Sequence, residues 1–218
     1  IYPTCLLDND ATAVVPEKIE ISLSRGQTYL IRAKSAEKKY STDGATGTND
    51  LTGTRIVLKN DGVKGGNMCK KIAVFAGTQH GSGQNSAYNN GDYEFDQLFP
   101  THLWGSTYIV GSPDAHGSAV TRIVASKPCT KVSVNGVEVA TLNPSQFYEY
   151  VDTENKGCYV HATKPVGVAF FTTGENVGSN ADGAPAMITI APAEQAVQDM
   201  TFTAIANGGI SEHSLMIT

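Results

Sequence analysis

Carboxylates that alternate along one short segment are the side chains best suited to chemistry in this sequence. Asp92, Glu94 and Asp96 lie two residues apart, and Asp8 and Asp10 form a second acidic pair. Calcium prefers clustered carboxylate and carbonyl oxygens as ligands. The first segment therefore suggests a calcium site, although it lacks the spacing of a known calcium-binding loop. No other cofactor is expected.

The motifs that identify the common enzyme classes are absent. There is no Gly-x-Ser-x-Gly, no His-Glu-x-x-His, no phosphate-binding glycine loop and no dinucleotide fingerprint. The five histidines are scattered along the chain: His80, His102, His116, His161 and His213. Lone histidines are more often structural than catalytic, so we predict that the protein is not an enzyme.

Charge and composition restrict the partners. The 218 residues are 40% hydrophobic and carry a net charge of −5 without a basic block, which argues against nucleic acid and anionic membranes. No apolar run approaches the about 20 residues of a membrane-spanning helix. Because the sequence begins at Ile1 rather than Met, we expect a processed or excised fragment whose neighbours are further repeats of a longer chain.

Four cysteines lie far apart without a Cys-x-x-Cys pair, so no zinc site or thioredoxin-like motif is indicated. Their even number fits two disulfides, and three connectivities are open. We favour Cys5 with Cys69 and Cys129 with Cys158, because the latter two flank neighbouring strands. Four reduced, buried thiols are the alternative.

Three polar loops could carry ligand-binding residues, because binding side chains often lie on loops held by a rigid scaffold. They span residues 34–50, 78–91 and 174–185. The second is rich in Asn and carries a Tyr, as recognition loops commonly do. Its candidate ligand-binding residues are Gln79, His80, Gln84, Asn85, Tyr88 and Asn89. The alternative is that these loops are solvated connections.

Short alternating segments joined by Gly- and Asn-rich turns predict an all-β protein. The clearest strands are 121–125, 131–134, 137–142, 147–151, 158–162 and 166–172. Asn135-Gly136 predicts a type I′ hairpin that pairs 132–134 with 137–139. An earlier series of segments covers 19–23, 28–33, 53–59 and 71–77.

The chain also repeats itself, and this predicts its domain organisation. Leu23–Tyr29, Gly53–Ile56 and Lys71–Phe75 return in the same order as Leu142–Tyr148, Gly157–Val160 and Lys164–Phe170. Pro192–Phe202 echoes Pro100–Tyr108. We therefore predict tandem antiparallel β-sandwich repeats, whose units could share strands. A first, incomplete unit covers 1–95 and a second covers 96–186, while 187–218 starts a third unit or completes a sheet.

The single tryptophan, Trp104, has two interpretations. It could form an exposed stacking platform for a sugar or anchor a protein partner, together with the aromatic residues nearby in sequence, Tyr93, Phe95, Phe99 and Tyr108. The favoured interpretation is packing at a repeat junction, since Gly105 and an apolar strand follow it.

Several motifs resemble those of the N-terminal domain family of the IgG Fc-binding protein. They are Asp96–Pro100, Trp104–Tyr108, Arg122–Ser126, Thr130–Gly136 and Lys164–Val166, with upstream Leu51–Ile56 and Cys69–Gly77 and downstream Asp182–Met187. Gln97, Pro100, Trp104 and Gly105 form the structural motif that this resemblance marks. The sequence departs from the family where two prolines are usual near Pro100, and where Asp-Pro is interrupted at 182–185.

The resemblance implies a bacterial-type member of a family of secreted or cell-surface binding modules. Fc binding itself is not implied. The expected function is a non-catalytic extracellular adhesion module that recognises a protein or mucin-type ligand through loops on a β scaffold. One alternative is a calcium-assisted carbohydrate-binding domain, and a second is a structural segment of a surface stalk or fibre.

Overall fold

The computed structural model describes residues 1–5, 7, 15–34, 50–59, 71–81, 92–112, 119–154, 156–172, 185–203 and 217, with only the main chain at 79–81 and 92. These residues form nine strands: β1 Phe75–Gly81, β2 Asp92–Gln97, β3 Gly105–Val110, β4 Ala119–Ala125, β5 Thr130–Val134, β6 Val137–Leu142, β7 Phe147–Asp152, β8 Cys158–Thr172 and β9 Met187–Ile190. Two 3₁₀ turns, Thr101–Leu103 and Ala193–Gln195, follow β2 and β9. The described chain is therefore all-β.

Seven strands form one curled antiparallel sheet around β8. The first half of β8 pairs with β3 on one edge and β5 on the other, and β6 follows β5. The second half pairs with β9 and β4, and β7 follows β4. The remaining strands, β1 and β2, form a separate two-stranded sheet. In the described part of the chain, no helix is long and apolar enough to cross a membrane.

Strand β8 serves both halves of the sheet because its alternation never breaks. Its even-numbered positions are buried from Cys158 to Thr172, except for the half-buried Lys164. The sequence predicts two strands here, 158–162 and 166–172, and this is wrong. Pro165 lacks an N–H and falls where the β3 register shifts, so the proline sits at an irregularity without ending the strand.

The core lies inside the curled sheet, where the two halves of β8 and their partners face each other. The Tyr108 hydroxyl donates to the Val166 carbonyl (2.5 Å) and accepts from the Gly105 N–H (3.1 Å), so this buried polar group is satisfied. The apolar residues of the core are Tyr108, Val110, Ala119, Ile123, Ala125, Val132, Val134, Leu142, Cys158, Val160, Ala162, Val166, Val168 and Phe170.

The hairpin predicted at Asn135-Gly136 is confirmed. Both residues have positive φ, 50° and 83°, as a type I′ turn requires. Val134 pairs with Val137 and Ser133 with Glu138, as expected. A register shift then places Val132 opposite Ala140 rather than residue 139.

The earlier segments differ from the prediction. Residues 19–23, 28–33 and 53–59 form no strand, and between described residues this region has the isolated bridges Tyr2–Arg55 and Leu7–Ala33. The segment predicted from residue 71 becomes a strand only at Phe75. The all-β antiparallel architecture is confirmed, whereas the tandem repetition of complete sandwiches and the unit boundaries stay predictions.

The sequence repeat is nevertheless visible as a repeated turn. In residues 24–27 the Gln27 N–H donates to the Ser24 carbonyl (3.0 Å), and the Gln27 side-chain oxygen accepts from the Ser24 N–H (2.7 Å). Residues 143–146 repeat both bonds between Gln146 and Asn143, at 3.0 and 2.8 Å. The third residue has positive φ in each turn, 84° at Gly26 and 70° at Ser145.

The expected disulfide between Cys129 and Cys158 is wrong. Both residues are free thiols, Cys129 exposed and Cys158 buried. Val132 pairs with Ala162 and Val134 with Val160, so Cys129 lies level with residue 165, seven residues along β8 from Cys158. That is roughly 23 Å at about 3.3 Å per residue, whereas a disulfide needs Cα atoms within about 7 Å.

Of the other expected pair, Cys5 with Cys69, the structure describes only Cys5. Cys5 is a buried free thiol. Cys69 lies outside the described residues.

Candidate functional site: the β1–β2 hairpin

The β1–β2 sheet presents an aromatic face to solvent. Phe75, Tyr93 and Phe95 are 52%, 75% and 69% exposed, although apolar rings of this size are normally buried. The register places them on one face, since Phe75 pairs with Gln97 and Gly77 with Phe95. Exposed aromatics gathered on one face are typical of recognition surfaces.

The rings of Phe75 and Phe95 can stack because the residue opposite Phe95 on β1 is a glycine, Gly77. The rings of Phe75 and Phe95 lie 5.4 Å apart between centroids, with planes 4° from parallel. Gly77 lies directly opposite Phe95, and its lack of a side chain leaves the face of the sheet open for the diagonal contact. A Cβ at Gly77 would also collide with the Glu94 carbonyl. Gly77 therefore allows both the close strand pairing and the ring stack.

The opposite face of β2 docks on the large sheet. Asp96 Oδ2 accepts a hydrogen bond from the main-chain N–H of Thr189 in β9, at 2.6 Å. Asp96 Oδ1 accepts from the Gln97 N–H at 2.8 Å. Glu94, two residues earlier on the same face, is only 4% exposed. The hairpin therefore has an anchored polar face and an exposed aromatic face.

Glu94 is an unusual anchor, since its Oε1 is buried without a hydrogen-bond partner among the described residues, as is Thr189 Oγ1. Burial raises the pKa of Glu94 to about 7, and the positive charge of Arg122 offsets part of this effect. The carboxyl therefore gains its proton near neutral pH.

Arg122, on the outward side of β4, connects this strand to residues 50–52. Its guanidinium donates to Asp50 Oδ2 (2.7 Å), to Thr52 Oγ1 (3.0 Å) and to Glu149 Oε2 (2.8 Å). The guanidinium carbon lies 5.2 Å from the ring centroid of Phe147 and 5.4 Å from that of Phe171. The planar fork suits this position because it can bind two carboxylates while lying over aromatic faces.

The candidate ligand-binding residues can be placed only in part. Residues 79 and 80 belong to β1, so the predicted loop is wrong over 78–81, where the strand continues. The side chains of Gln79 and His80, and all of Gln84, Asn85, Tyr88 and Asn89, lie outside the described residues. The last four candidates lie between β1 and β2 in sequence, so they belong to the segment that joins the two strands. Most of the other two predicted loops, 34–50 and 174–185, is also outside.

The calcium site stays a prediction. Alternation puts 92, 94 and 96 on one side of β2, as the acidic pattern requires. Glu94 is buried, however, Asp96 already accepts two hydrogen bonds, and the side chain of Asp92 is outside the described part. Among the described side chains, no group of three His, Cys, Asp or Glu residues is close enough to hold a metal ion.

Trp104 is half-buried and packs on the scaffold. Its indole N–H donates to the Phe99 carbonyl at 3.1 Å, and its ring covers Gly167 so closely that a Cβ there would lie 2.7 Å from the ring. This agrees with the packing interpretation. The exposed rings of Tyr93 and Phe95, which the sequence groups with Trp104, lie on β2 instead.

A family model described as IgGFc binding protein matches residues 1–218 of this sequence. The chain belongs to the IgGFc-binding family. No curated protein and no solved structure matches it. The bacterial type of this family member stays a prediction.

The residues predicted to form the family motif lie at the corner that joins the hairpin to the large sheet. Gln97 ends β2, Pro100 precedes the first 3₁₀ turn, Trp104 follows that turn, and Gly105 begins β3. A side chain at Gly105 would collide with Glu194. Glu194 Oε1 accepts from the Ser106 N–H (2.8 Å) and hydroxyl (2.7 Å). The motif therefore fixes where the hairpin leaves the scaffold.

Proposed function

We propose that this chain is a non-catalytic extracellular binding module that recognises a protein or mucin-type ligand with the aromatic face and the tip of the β1–β2 hairpin. Membership of the IgGFc-binding family supports protein binding and an extracellular location. The observation that carries the proposal is the exposed stack of Phe75 on Phe95, with Tyr93 on the same strand.

Physical chemistry favours this face as a contact surface. Aromatic side chains supply large apolar area with few rotatable bonds, so they lose little conformational entropy on binding. A central aromatic cluster is typical of the residues that dominate binding energy in protein interfaces. The carboxylate and hydrogen-bond contacts of the opposite face hold the rings in place before the ligand arrives.

The test is surface plasmon resonance on the full chain with an IgG Fc fragment and a purified secreted mucin as separate analytes. We expect saturable binding to at least one of them. Phe95→Ala should weaken it about tenfold, equivalent to about 1.4 kcal/mol. Tyr29→Ala removes a 49% exposed aromatic outside the hairpin and should leave affinity unchanged.

Two results would contradict the proposal. No saturable binding of either analyte by the folded chain would count against the proposal, as would binding that Phe95→Ala leaves intact. Binding of a free glycan that requires added calcium would support the carbohydrate-binding alternative instead.

A further inference from the structure

Two segments that lie far apart in the sequence expose apolar side chains. Residues 54–58 expose Ile56 (36%), Val57 (44%) and Leu58 (48%), and residues 197–203 expose Val197 (62%), Met200 (74%) and Phe202 (59%). Neither segment belongs to a strand. Comparison with residues 96–186, the predicted second unit, shows which strand each segment corresponds to.

Residues 197–203, termed the donor segment, correspond to β3. Each follows a proline-led 3₁₀ turn of the same geometry, with φ/ψ of −65°/150° at Pro100 and −71°/154° at Pro192. Counting from these prolines, Met200 matches Tyr108 and Phe202 matches Val110. Tyr108 and Val110 are 1% and 2% exposed in the core. The donor segment therefore has the position and alternation of β3 without the strand that covers β3.

Residues 54–58, termed the acceptor segment, correspond to the start of β8. Each follows a glycine with positive φ, 85° at Gly53 and 73° at Gly157. Each also comes after the repeated turn, 24–27 in one unit and 143–146 in the other. Ile56 then matches Val160, which is fully buried against β3 in the second unit.

Comparing the acceptor segment with the start of β8 shows which edge of the acceptor segment lacks main-chain partners. On one edge of β8, the Tyr159 N–H donates to Asn135 Oδ1 and the Tyr159 carbonyl accepts from the Asn135 N–H, at 2.8 Å each. The other edge pairs with β3. Arg55, the counterpart of Tyr159, exchanges two main-chain hydrogen bonds with Tyr2, at 2.8 and 3.0 Å. Ile56 has no main-chain partner among the described residues. On the edge that corresponds to the β3 edge, the Thr54 N–H already donates to the Leu51 carbonyl at 2.9 Å, so within the described residues the acceptor segment is open at Ile56 and not at Thr54.

We propose that the donor segment of one copy of this chain pairs, antiparallel, with the acceptor segment of a second copy. The register of β3 on β8 places Met200 opposite Ile56 and Phe202 opposite Thr54. It also places Asp199 opposite Val57, with Arg55 and Lys59 as its diagonal neighbours of opposite charge. Burying Met200 and Phe202 against Ile56 and Leu58 supplies the apolar contact that both segments lack.

This pairing joins two different surfaces, so it does not close on itself. Heterologous contacts that leave a free donor and a free acceptor extend into open chains. An unpaired strand edge is a ready template for such addition. The inference is independent of the ligand proposed above, since it uses neither β1 nor β2.

Two blocked variants of the full chain test the direction of the pairing. Phe202→Asp blocks the donor, and Ile56→Asp blocks the acceptor. In sedimentation velocity over a wide concentration range, the unaltered chain should form a growing series of oligomers, and each variant alone should stay monomeric. A mixture of the two should form a one-to-one dimer that grows no further, because only one donor and one acceptor remain.

Controls separate pairing from misfolding. Met200→Pro removes the donor N–H in a segment outside the strands of the large sheet and should also stop assembly without changing the thermal unfolding midpoint. Val137→Asp, at a 65% exposed position on β6, should leave assembly intact. A chain that stays monomeric at every concentration would overturn the proposal, as would oligomers that survive Phe202→Asp and Met200→Pro or blocked variants that fail to combine.

Discussion

The carboxylate of Asp96 and the main-chain N–H of Thr189 form a 2.6 Å hydrogen bond that joins β2 to β9. It links the aromatic hairpin to the large sheet across the interface between them. A hydrogen bond with one charged partner is about twice as strong as a neutral one, and an isolated two-stranded hairpin is marginally stable at best. The position of the exposed rings therefore depends on this contact.

Replacing Asp96 with Ala should loosen the hairpin more than the large sheet. We expect faster hydrogen–deuterium exchange in β1 and β2 and a loss of about 1–2 kcal/mol in the free energy of unfolding. Ligand affinity should fall with it. Asp96→Asn keeps an acceptor oxygen and should show a smaller effect. Unchanged exchange in β1 and β2 of Asp96→Ala would show that the hairpin is held by other contacts.

The buried carboxyl of Glu94 predicts a pH-dependent stability. Its pKa is raised from 4.5 to about 7 by burial, so the folded state binds the proton more tightly than the unfolded state does. The stabilisation by this proton is complete below about pH 4.5 and is lost as the pH rises through about 7. Urea unfolding from pH 5 to 8 should show a decrease on the order of 1 kcal/mol from this group.

Glu94→Gln is the matched control because the amide stays neutral at every pH in that range. The variant should lose this part of the pH dependence and be more stable than the unaltered chain at pH 8. If both proteins have the same pH profile, Glu94 titrates as an ordinary solvated carboxyl in the folded protein.

Arg122 should contribute to stability through its arrangement as well as its charge. It bonds Asp50 and Glu149 and lies over two aromatic rings. Arg122→Met should cost about 1–3 kcal/mol in urea unfolding, because it leaves two carboxylates without their partner. Arg122→Lys keeps the charge but cannot reproduce the fork, so we expect an intermediate loss. Equal stability of Arg122→Lys and the unaltered chain would contradict a role for the guanidinium geometry.

Strands such as β5 and β6 could be predicted because their signals are local. Alternating β-branched residues and the Asn135-Gly136 turn specify β5 and β6 without knowledge of distant partners. The continuity of β8 could not, since Pro165 reads as a break and only the neighbouring strands carry the chain past it. The segments 19–23, 28–33 and 53–59 alternate but form no strand. An alternating pattern becomes a strand only where another strand pairs with it, and the local sequence does not show where that happens.

The candidate site shows a further limit of sequence. The alternation of Tyr93 and Phe95 with Glu94 and Asp96 identifies two faces of β2, and hydrophobicity alone would bury the aromatic one. The structure buries the carboxylate face instead. Thr189 and Arg122, which accompany those carboxylates, lie 93 and 26 residues from Asp96 in sequence. No local pattern connects them to it.

Two classes of thiol should be measurable in the folded protein. Cys129 is exposed and should react at once with a thiol reagent. The pKa of Cys158 is raised, first by burial and further by the charge of Asp152, and its Sγ lies 3.7 Å from Thr121 Oγ1. Burial likewise raises the pKa of Cys5. Both buried thiols should react only after denaturation, since the thiolate is the reactive form.

Cys129→Ser tests this prediction. The variant should lose one thiol that reacts at once and none of the thiols that react only after denaturation. Peptide mapping without reduction should recover Cys129 and Cys158 in separate peptides, because the β5–β8 register holds them at opposite ends of the strand pair. A linked Cys129–Cys158 peptide from the folded chain would require a different register of β5 on β8, and the core packing described above would then be wrong.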